Sequence, residues 1–586
     1  MCKVCGCTAG LDAMSENERI KASSNHLRGS IARELREDTI HFGEENGVIL
    51  KFHGIYQQDD RDRRKEARQK GLDKHHMMMI RTRIPGGIVS PEGYLAHDDI
   101  AGRWGNGTLR VTTRQDFQLH GVLKGDLWNA MHAINASLMT TLGGCGDQER
   151  NIMTCPAPIR DRFREEVLAI LKDMVAGLTP QTRAYHEIWI DGELAASAEP
   201  ETEPLYGETY LPRKFKTSIA LEGDNCVDVY AQDLAIVAMR RADGGLQGFT
   251  IMVGGGLGRT HNKPETFPAV AVPMAYVEPD QLVRASQAVV SVQRDYGDRT
   301  NRRHARLKYL VAERGVAWFR EQVQARLDFP LQNARLPLWK PVDDHLGWQA
   351  QRDGRLFLGL YVENGRIADV DGVRLRSGLR AIVEELRPQV ILTPQQNVIL
   401  GDLNPLDRPR IETLLHAHGI QTVDRISHTI RYAMACPAIP TCGLAVAEAE
   451  RVLPSLIRQI EAVVATLGLE HDRISYRMSG CPNGCSRPYL GDVGFVGTTL
   501  GKYDVYLGGD FIGTRLNELY ARNVPIQTIP DLLRAPLEAF RAERRPEEGF
   551  GDWTHRVGVE TVRSRFDVPQ APVSVRVRDA VGSEVL

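Results

Sequence analysis

Residues 110–121, "RVTTRQDFQLHG", align with residues 391–402, "ILTPQQNVILGD", at an offset of 281 in a chain of 586. The first stretch reads as strand, with β-branched and aromatic residues in alternation. The same offset sets "CPAP" at Cys155 over "CPAI" at Cys436, and farther on "VGGGLG" (253–258) resembles "LGGDFIG" (507–513) at an offset near 254. Matches that share an offset and keep one order mark a duplicated unit. The expected architecture is two similar halves about a pseudo-twofold axis, each a small sheet domain followed by a larger α/β domain. A cleft between such halves suits a large cofactor.

Working outward, "VILKFHGIYQ" (48–57) also reads as strand, whereas "REEVLAILKDMVAGL" (164–178) and "LRAIVEELR" (379–387) have helical apolar spacing. Residues 1–25 are polar and read as a mobile segment, 191–209 as an acidic, Pro-containing surface loop, and 540–586 as a peripheral tail. A chain of this length suggests roughly three to five domains. Its hydrophobic content of 42% and charged content of 25% are ordinary for a soluble protein. A formal net charge of −2 gives no reason to expect binding to nucleic acid or membrane. No apolar run suits a signal peptide or a membrane span, so the chain reads as cytoplasmic, where thiols stay reduced.

The halves differ in chemistry. Cys442, Cys481 and Cys485 have no expected counterpart in the first half, which instead carries Arg110, Arg114, Lys214 and Lys216. The last four cysteines form C-x5-C (Cys436, Cys442), then 38 residues, then C-x3-C (Cys481, Cys485). Pro437 and Pro440 keep the first pair in an extended loop, and a helix expected from about Gly443 would turn its free N–H groups toward the sulfurs. Four thiolates on two loops suit either tetrahedral zinc or an iron–sulfur cubane, and the five-residue gap favours the cubane. The N-terminal Cys2, Cys5 and Cys7 lack a fourth ligand nearby and read as incidental.

Two basic stretches stand out. In "RKFK" (213–216) the lysines are two apart, so on a strand both face one way, with Phe215 on the other. In "DRTNRRHARLKYL" (298–310), Arg299, Arg302, Arg303 and Arg306 fall at i, i+3, i+4 and i+7, one face of a helix. Gly254–Gly256 and Gly258 look superficially like a dinucleotide loop but lack the third glycine of that fingerprint.

With "FHGIYQQDDRD" (52–62), "RTRIPGG" (81–87), "TRQDFQLHG" (113–121), "GDQERNIM" (146–153), "TYLPRKFKT" (209–217), "IMVGGGL" (251–257), "CPAIPTC" (436–442) and "GCPNGCSRP" (480–488) in order, the chain resembles the sirohaem-containing sulfite and nitrite reductase family. It looks most like the haemoprotein subunits of assimilatory sulfite reductases. The resemblance implies an α+β fold with ferredoxin-like half-domains at 26–155 and 336–425, sirohaem/4Fe-4S α/β domains at 156–335 and 426–575, and a tail at 576–586. It implies that Cys436, Cys442, Cys481 and Cys485 hold a 4Fe-4S cluster, with Cys485 bridging to the sirohaem iron. Gly480 and Gly484, each just before a cysteine of the second pair, would let the macrocycle approach closely.

The resemblance further implies that Arg83, Arg150, Lys214 and Lys216 bind sulfite. Arg110, Arg114, Gln118, His120, Arg302, Arg306, Lys308, Gln396, Asn397 and Asn483 would contact sirohaem. The implied activity is six-electron reduction of sulfite to sulfide in sulfate assimilation and cysteine biosynthesis. Nitrite reduction to ammonia is the alternative, and a zinc-stabilised scaffold a more remote one. Lys216 favours sulfite, because nitrite-reducing relatives commonly have asparagine there. No flavin or nicotinamide module is apparent, so electrons would come from an NADPH-dependent flavoprotein subunit or ferredoxin. Some ferredoxin-dependent members join a cysteine placed like Cys145 to a tyrosine placed like Tyr56; a free thiol is expected here.

Overall fold

The computed structural model describes residues 13–181, 187–190, 193–197, 202–370, 372–566 and 568. Cys2, Cys5 and Cys7 lie outside them. Four five-stranded sheets form two matched pairs. One sheet runs Ile55–Asp59, His76–Arg81, Phe117–Val122, Leu109–Val111, Arg366–Ile367. Its counterpart runs Gly347–Ala350, Leu356–Leu360, Val398–Leu403, Gln389–Leu392, Ile88–Val89. Each half therefore supplies four strands of its own sheet and lends a two-residue strand to the other.

The exchange depends on a tight approach of backbones. Gly87 and Gly365 precede the two lent strands, both at φ 75°. A Cβ on Gly87 would lie 2.3 Å from the Leu392 carbonyl oxygen, and one on Gly365 would lie 2.4 Å from that of Val111. Only glycine permits both the left-handed backbone and the contact. The repeated stretch forms the opposing hairpins, with Gln115 and Gln396 at the turns, both at positive φ.

The α/β sheets match just as closely. Met153–Thr154, Thr217–Leu221, Leu234–Arg240, Leu246–Val253 and Val272–Val277 pair parallel, parallel, antiparallel, antiparallel. Ala433–Ala435, Tyr476–Ser479, Val493–Thr499, Lys502–Leu507 and Glu518–Pro525 repeat that sequence of pairings. Met153–Thr154 already belongs to the α/β sheet, although it precedes the boundary expected at 155.

Helices cover these sheets as their apolar spacing requires. In Arg162–Leu178, Asp161 caps the Arg164 N–H, and Phe163, Val167, Leu171, Met174 and Leu178 are buried. Leu375–Leu386 buries Leu375, Leu379, Ile382 and Val383 in the same way.

Several expectations are corrected. Residues 48–53 form the end of a helix and a 3-10 turn, and the strand begins at Ile55. Within 13–25 lies the helix Glu16–Ser23, whose buried Lys21 donates to the Leu211 carbonyl at 2.8 Å. Residues 540–566 are core rather than tail: Phe540, Phe550 and Trp553 are fully buried. The stretch expected to be a loop at 191–209 contains strand Glu193–Ser197, paired with Glu187–Ile190, while 191–192 and 198–201 lie outside the described residues.

Candidate active site

The two cysteine loops pack directly on one another. Gly480 N–H donates to Cys436 Sγ at 3.4 Å, and a Cβ on Gly480 would meet both Ala438 Cβ and the Ala447 carbonyl at 2.5 Å. Gly484 takes φ 62° in the turn. Gly480, just before Cys481, thus closes this loop against the first cysteine loop. The helix expected from Gly443 starts instead at Leu453. Irregular turns fill the interval, and the Leu444 and Ala445 N–H groups still face the Cys442 sulfur.

Burial and mutual repulsion define the chemistry of these thiols. Burial, then the neighbouring sulfurs, raises Cys436 well above the usual thiol range and Cys481 to about 12. Such a set favours thiolates only around a cationic centre. The Cys442, Cys481 and Cys485 sulfurs all act on Cys436, yet no three of the four lie within 4.8 Å of one another. A single zinc with bonds of about 2.3 Å holds its sulfurs closer than that, so the spread fits a polynuclear cluster. Cys436 and Cys481 are buried, Cys442 is intermediate and Cys485 is exposed.

Around Cys485 the first half gathers cations. Arg81, Lys214 and Lys216 all feel the Cys485 sulfur. Arg150 acts on Lys214, and its Nη2 lies 3.2 Å from Cys145 Sγ. Burial first, then Arg213 and Arg306, lowers Lys214 to about 7; burial and Lys214 hold Lys216 well below the usual lysine value. The lysines precede strand Thr217–Leu221 rather than lying within it, but Phe215 makes a bridge to Glu149 and is buried between them. Alternation therefore holds locally.

Arg83 is corrected. It bridges Thr140 through its backbone, donates to Thr179 Oγ1 at 2.7 Å, and feels Glu149, Tyr206 and Asp116 rather than Cys485. Arg81, two residues earlier on the strand His76–Arg81, occupies the place expected of it. Arg81 Nη1 lies 3.0 Å from Cys145 Sγ, and its Nε donates at 3.1 Å to the Gln118 amide oxygen. Cys145 is in no disulfide, and burial, then the nearby Cys145 sulfur, raises the Tyr56 hydroxyl to about 12. Arg213, next to Lys214 in the basic run, is a further member that the sequence reading passed over.

Several expected macrocycle contacts are already engaged with protein. Arg110 pairs with Glu450 and donates to the Ala435 carbonyl at 2.8 Å, and Arg366 joins the same carboxylate. Arg302 pairs with Asp147 and Arg306 with Asp233, each at 2.7 Å. Residues 298–306 are irregular, so the expected arginine face of a helix does not form; the helix begins at Leu307. Lys308 ties together the carbonyls of Gly256, Gly258 and Phe267, which folds the glycine-rich loop. That loop abuts the cysteine loop, with Arg259 N–H donating to the Pro482 carbonyl at 2.8 Å. Asn397 bonds Asp344 and Val362 N–H, and Asn483 donates to Cys481 Sγ at 3.4 Å.

Other polar atoms are left wanting a partner. Both ring nitrogens of buried His120, Arg114 Nε and Gln396 Oε1 have none. Burial and nearby Arg366 and Arg110 keep His120 neutral. Buried polar groups without partners cost about 1–3 kcal/mol each, and a polycarboxylate cofactor would relieve the donors among them, Arg114 Nε and the protonated ring nitrogen of His120. The residues fit that group.

Residues 174–331 and 428–571 match a family model described as "Nitrite and sulphite reductase 4Fe-4S domain", and 69–137 match "Nitrite/Sulfite reductase ferredoxin-like half domain". The chain belongs to the nitrite and sulphite reductase family. Within it, the chain is 43% identical to "Sulfite reductase [ferredoxin]" of Synechococcus elongatus, covering 95% of this chain and 91% of that protein. It is 44% identical to "Sulfite reductase [NADPH] hemoprotein beta-component" of Myxococcus xanthus, covering 93% and 97%. The family fold extends to the solved NirA protein of Mycobacterium tuberculosis, with a TM-score of 0.75, 24% identity, and coverage of 94% of this chain and 98% of that one. Membership and the wide sulfur spacing overturn the zinc-scaffold alternative. Among the described residues, no helix is long and apolar enough to cross a membrane.

Proposed function

We propose that this chain reduces sulfite to sulfide by six electrons, as a cytoplasmic enzyme of sulfate assimilation leading to cysteine. The observation that carries this reading is the gathering of Arg81, Lys214 and Lys216 about the exposed Cys485 thiol, with Arg150 beside Lys214. Cys436, Cys442, Cys481 and Cys485 would hold a 4Fe-4S cluster, with Cys485 also ligating the iron of sirohaem; Arg114, Gln118, His120, Arg306 and Gln396 would adjoin that macrocycle. When bound, these groups supply the electron store and the iron that accepts the substrate sulfur.

The chain's own residues attract and orient the anion and deliver protons. Each cation 4 Å from an anionic oxygen contributes about 4 kcal/mol of attraction at an effective dielectric near 20. Arg81 and Arg150 offer planar forks for oxyanion geometry, while the lysines offer compact donors. Lys214, lowered to about 7, gives up and regains a proton with little cost near neutrality. That suits a reaction in which three oxygens leave as water.

Electrons would arrive from an NADPH-dependent flavoprotein or ferredoxin; NADPH and ferredoxin are the donors named for the relatives in Myxococcus and Synechococcus. The test is turnover by purified holoprotein with a chemical reductant, together with its visible and electron-spin spectra. Sulfite turnover, lost together with the coupled spectrum in Cys485→Ser, is expected. Efficient nitrite but negligible sulfite turnover, or a colourless protein, would overturn the reading.

A further inference from the structure

The register of the two α/β sheets exposes a correspondence that the linear repeat hides. Thr154 pairs with Ile219 as Ala435 pairs with Met478, and Leu234 pairs with Thr217 as Val493 pairs with Tyr476. Cys155 follows Thr154 as Cys436 follows Ala435. Cys226 lies seven residues past Ile219, as Cys485 lies seven past Met478. The first half thus does have counterparts for two cluster cysteines, and they come together. Cys155, Asp224, Cys226 and His345 present ligand atoms all within 4.8 Å of one another. Cys155 Sγ lies 3.0 Å from Asp224 Oδ2 and 3.3 Å from His345 Nε2, which is itself 3.2 Å from Asp224 Oδ2.

We infer that these four side chains form a second, mononuclear site for a divalent metal of zinc type, in the pseudo-symmetric position of the iron–sulfur cysteines. Two sulfurs, an imidazole nitrogen and a carboxylate oxygen are a complete tetrahedral donor set, and bonds of about 2.0–2.3 Å bring such atoms to separations below the observed limit. All four residues are at most 10% exposed, so this is no casual surface cluster. The surrounding shell is in place: the Cys226 N–H donates at 3.0 Å to Asp224 Oδ1, leaving Oδ2 for the metal, and Arg164 and Arg487 face the anionic donors. His345 is delivered from the second half on two successive left-handed residues, Asp344 and His345. Cys226 also lines a pocket with Asn225 and Asp344, which gives an ion an entrance.

Binding exchanges two protons for the metal, one from Cys226 and one from the Cys155–His345 pair, with no change in redox state. The closed donor set makes the role structural: the ion would clamp the first α/β sheet to the start of the second half. The site is independent of the electron-transfer chemistry proposed above.

The test is elemental analysis of holoprotein with Zn K-edge absorption. About one zinc per chain, in a shell of two sulfurs at about 2.3 Å and two N/O atoms at about 2.0–2.1 Å, is expected. In Cys155→Ser and Cys226→Ser, zinc should fall at least tenfold while iron content and sulfite turnover persist. Absence of zinc after growth with added zinc, a four-sulfur shell, or an intact mass showing a Cys155–Cys226 disulfide would overturn the site. The absorption measurement uses the wild-type protein and so stands even where a variant fails to fold.

Discussion

Two loops in this molecule occupy one structural position. The segment after Thr217–Leu221 and the segment after Tyr476–Ser479 leave sheets of identical pairing pattern at matching registers. The second carries Cys481 and Cys485 and leaves Cys485 exposed. The first carries Asp224 and Cys226 and is closed by His345. Upstream, the halves diverge again, because the first supplies Arg81, Arg150, Lys214 and Lys216 and the second supplies thiols. Duplication fixed where loops would stand, and substitution at a few positions decided what each would hold. A catalytic centre with metal on one wall and positive charge on the other needs this division.

Arg81 and Arg83 lie on either side of Thr82 and differ in role. Arg81→Gln is expected to lower kcat/KM for sulfite about 100-fold or more, in the range for removing one oriented charged donor. Arg83→Gln should change it by less than about tenfold, since its guanidinium reaches Thr179 instead. Steady-state kinetics of both variants decide the matter, and a larger loss in Arg83→Gln would return the substrate role to Arg83.

Ion pairs also couple the two halves. Glu450, in the cysteine-bearing half, accepts from Arg110 and Arg366, and these cations hold its carboxyl to about 2 against the cost of burial. Glu450→Gln should destabilise the protein by roughly 3 kcal/mol at neutral pH, because Arg110 stays buried without its counter-charge. The sign follows from the depressed value: the stabilisation is present above the unfolded carboxylate value of about 4.3 and is lost as pH falls toward 2. Denaturant unfolding of both proteins should therefore converge in acid.

The smallest expected effect concerns Lys214. With its value near 7 before the anion binds, its charge is present below that pH and is lost above it. Sulfite affinity should weaken by up to about tenfold per pH unit above 7. Lys214→Arg should move that limb upward, because a guanidinium stays protonated. An unmoved limb would assign it to another group.

Residue identity and spacing by themselves determined the duplication, the four-cysteine set and the basic run at 213–216. Period-2 and period-3.6 patterns report local geometry, and paired thiols on Gly/Pro loops report metal chemistry, without any need for distant contacts. Linear reading missed the exchange of Ile88–Val89 and Arg366–Ile367 between sheets, since a two-residue strand has no periodicity to detect. It placed Arg299, Arg302, Arg303 and Arg306 on a helix because their spacing is helical, whereas pairing with Glu18, Asp147 and Asp233 holds three of them in an irregular segment. It chose Arg83 over Arg81 because a motif identifies a stretch, while the direction of each side chain depends on how the strand sits in its sheet. The equivalence of Cys226 and Cys485 was hidden for a related reason: the offset shifts from 281 at Cys155 to 259 at Cys226. Insertions between strands change sequence spacing, but hydrogen-bond register preserves position in space, and only the folded sheets reveal it.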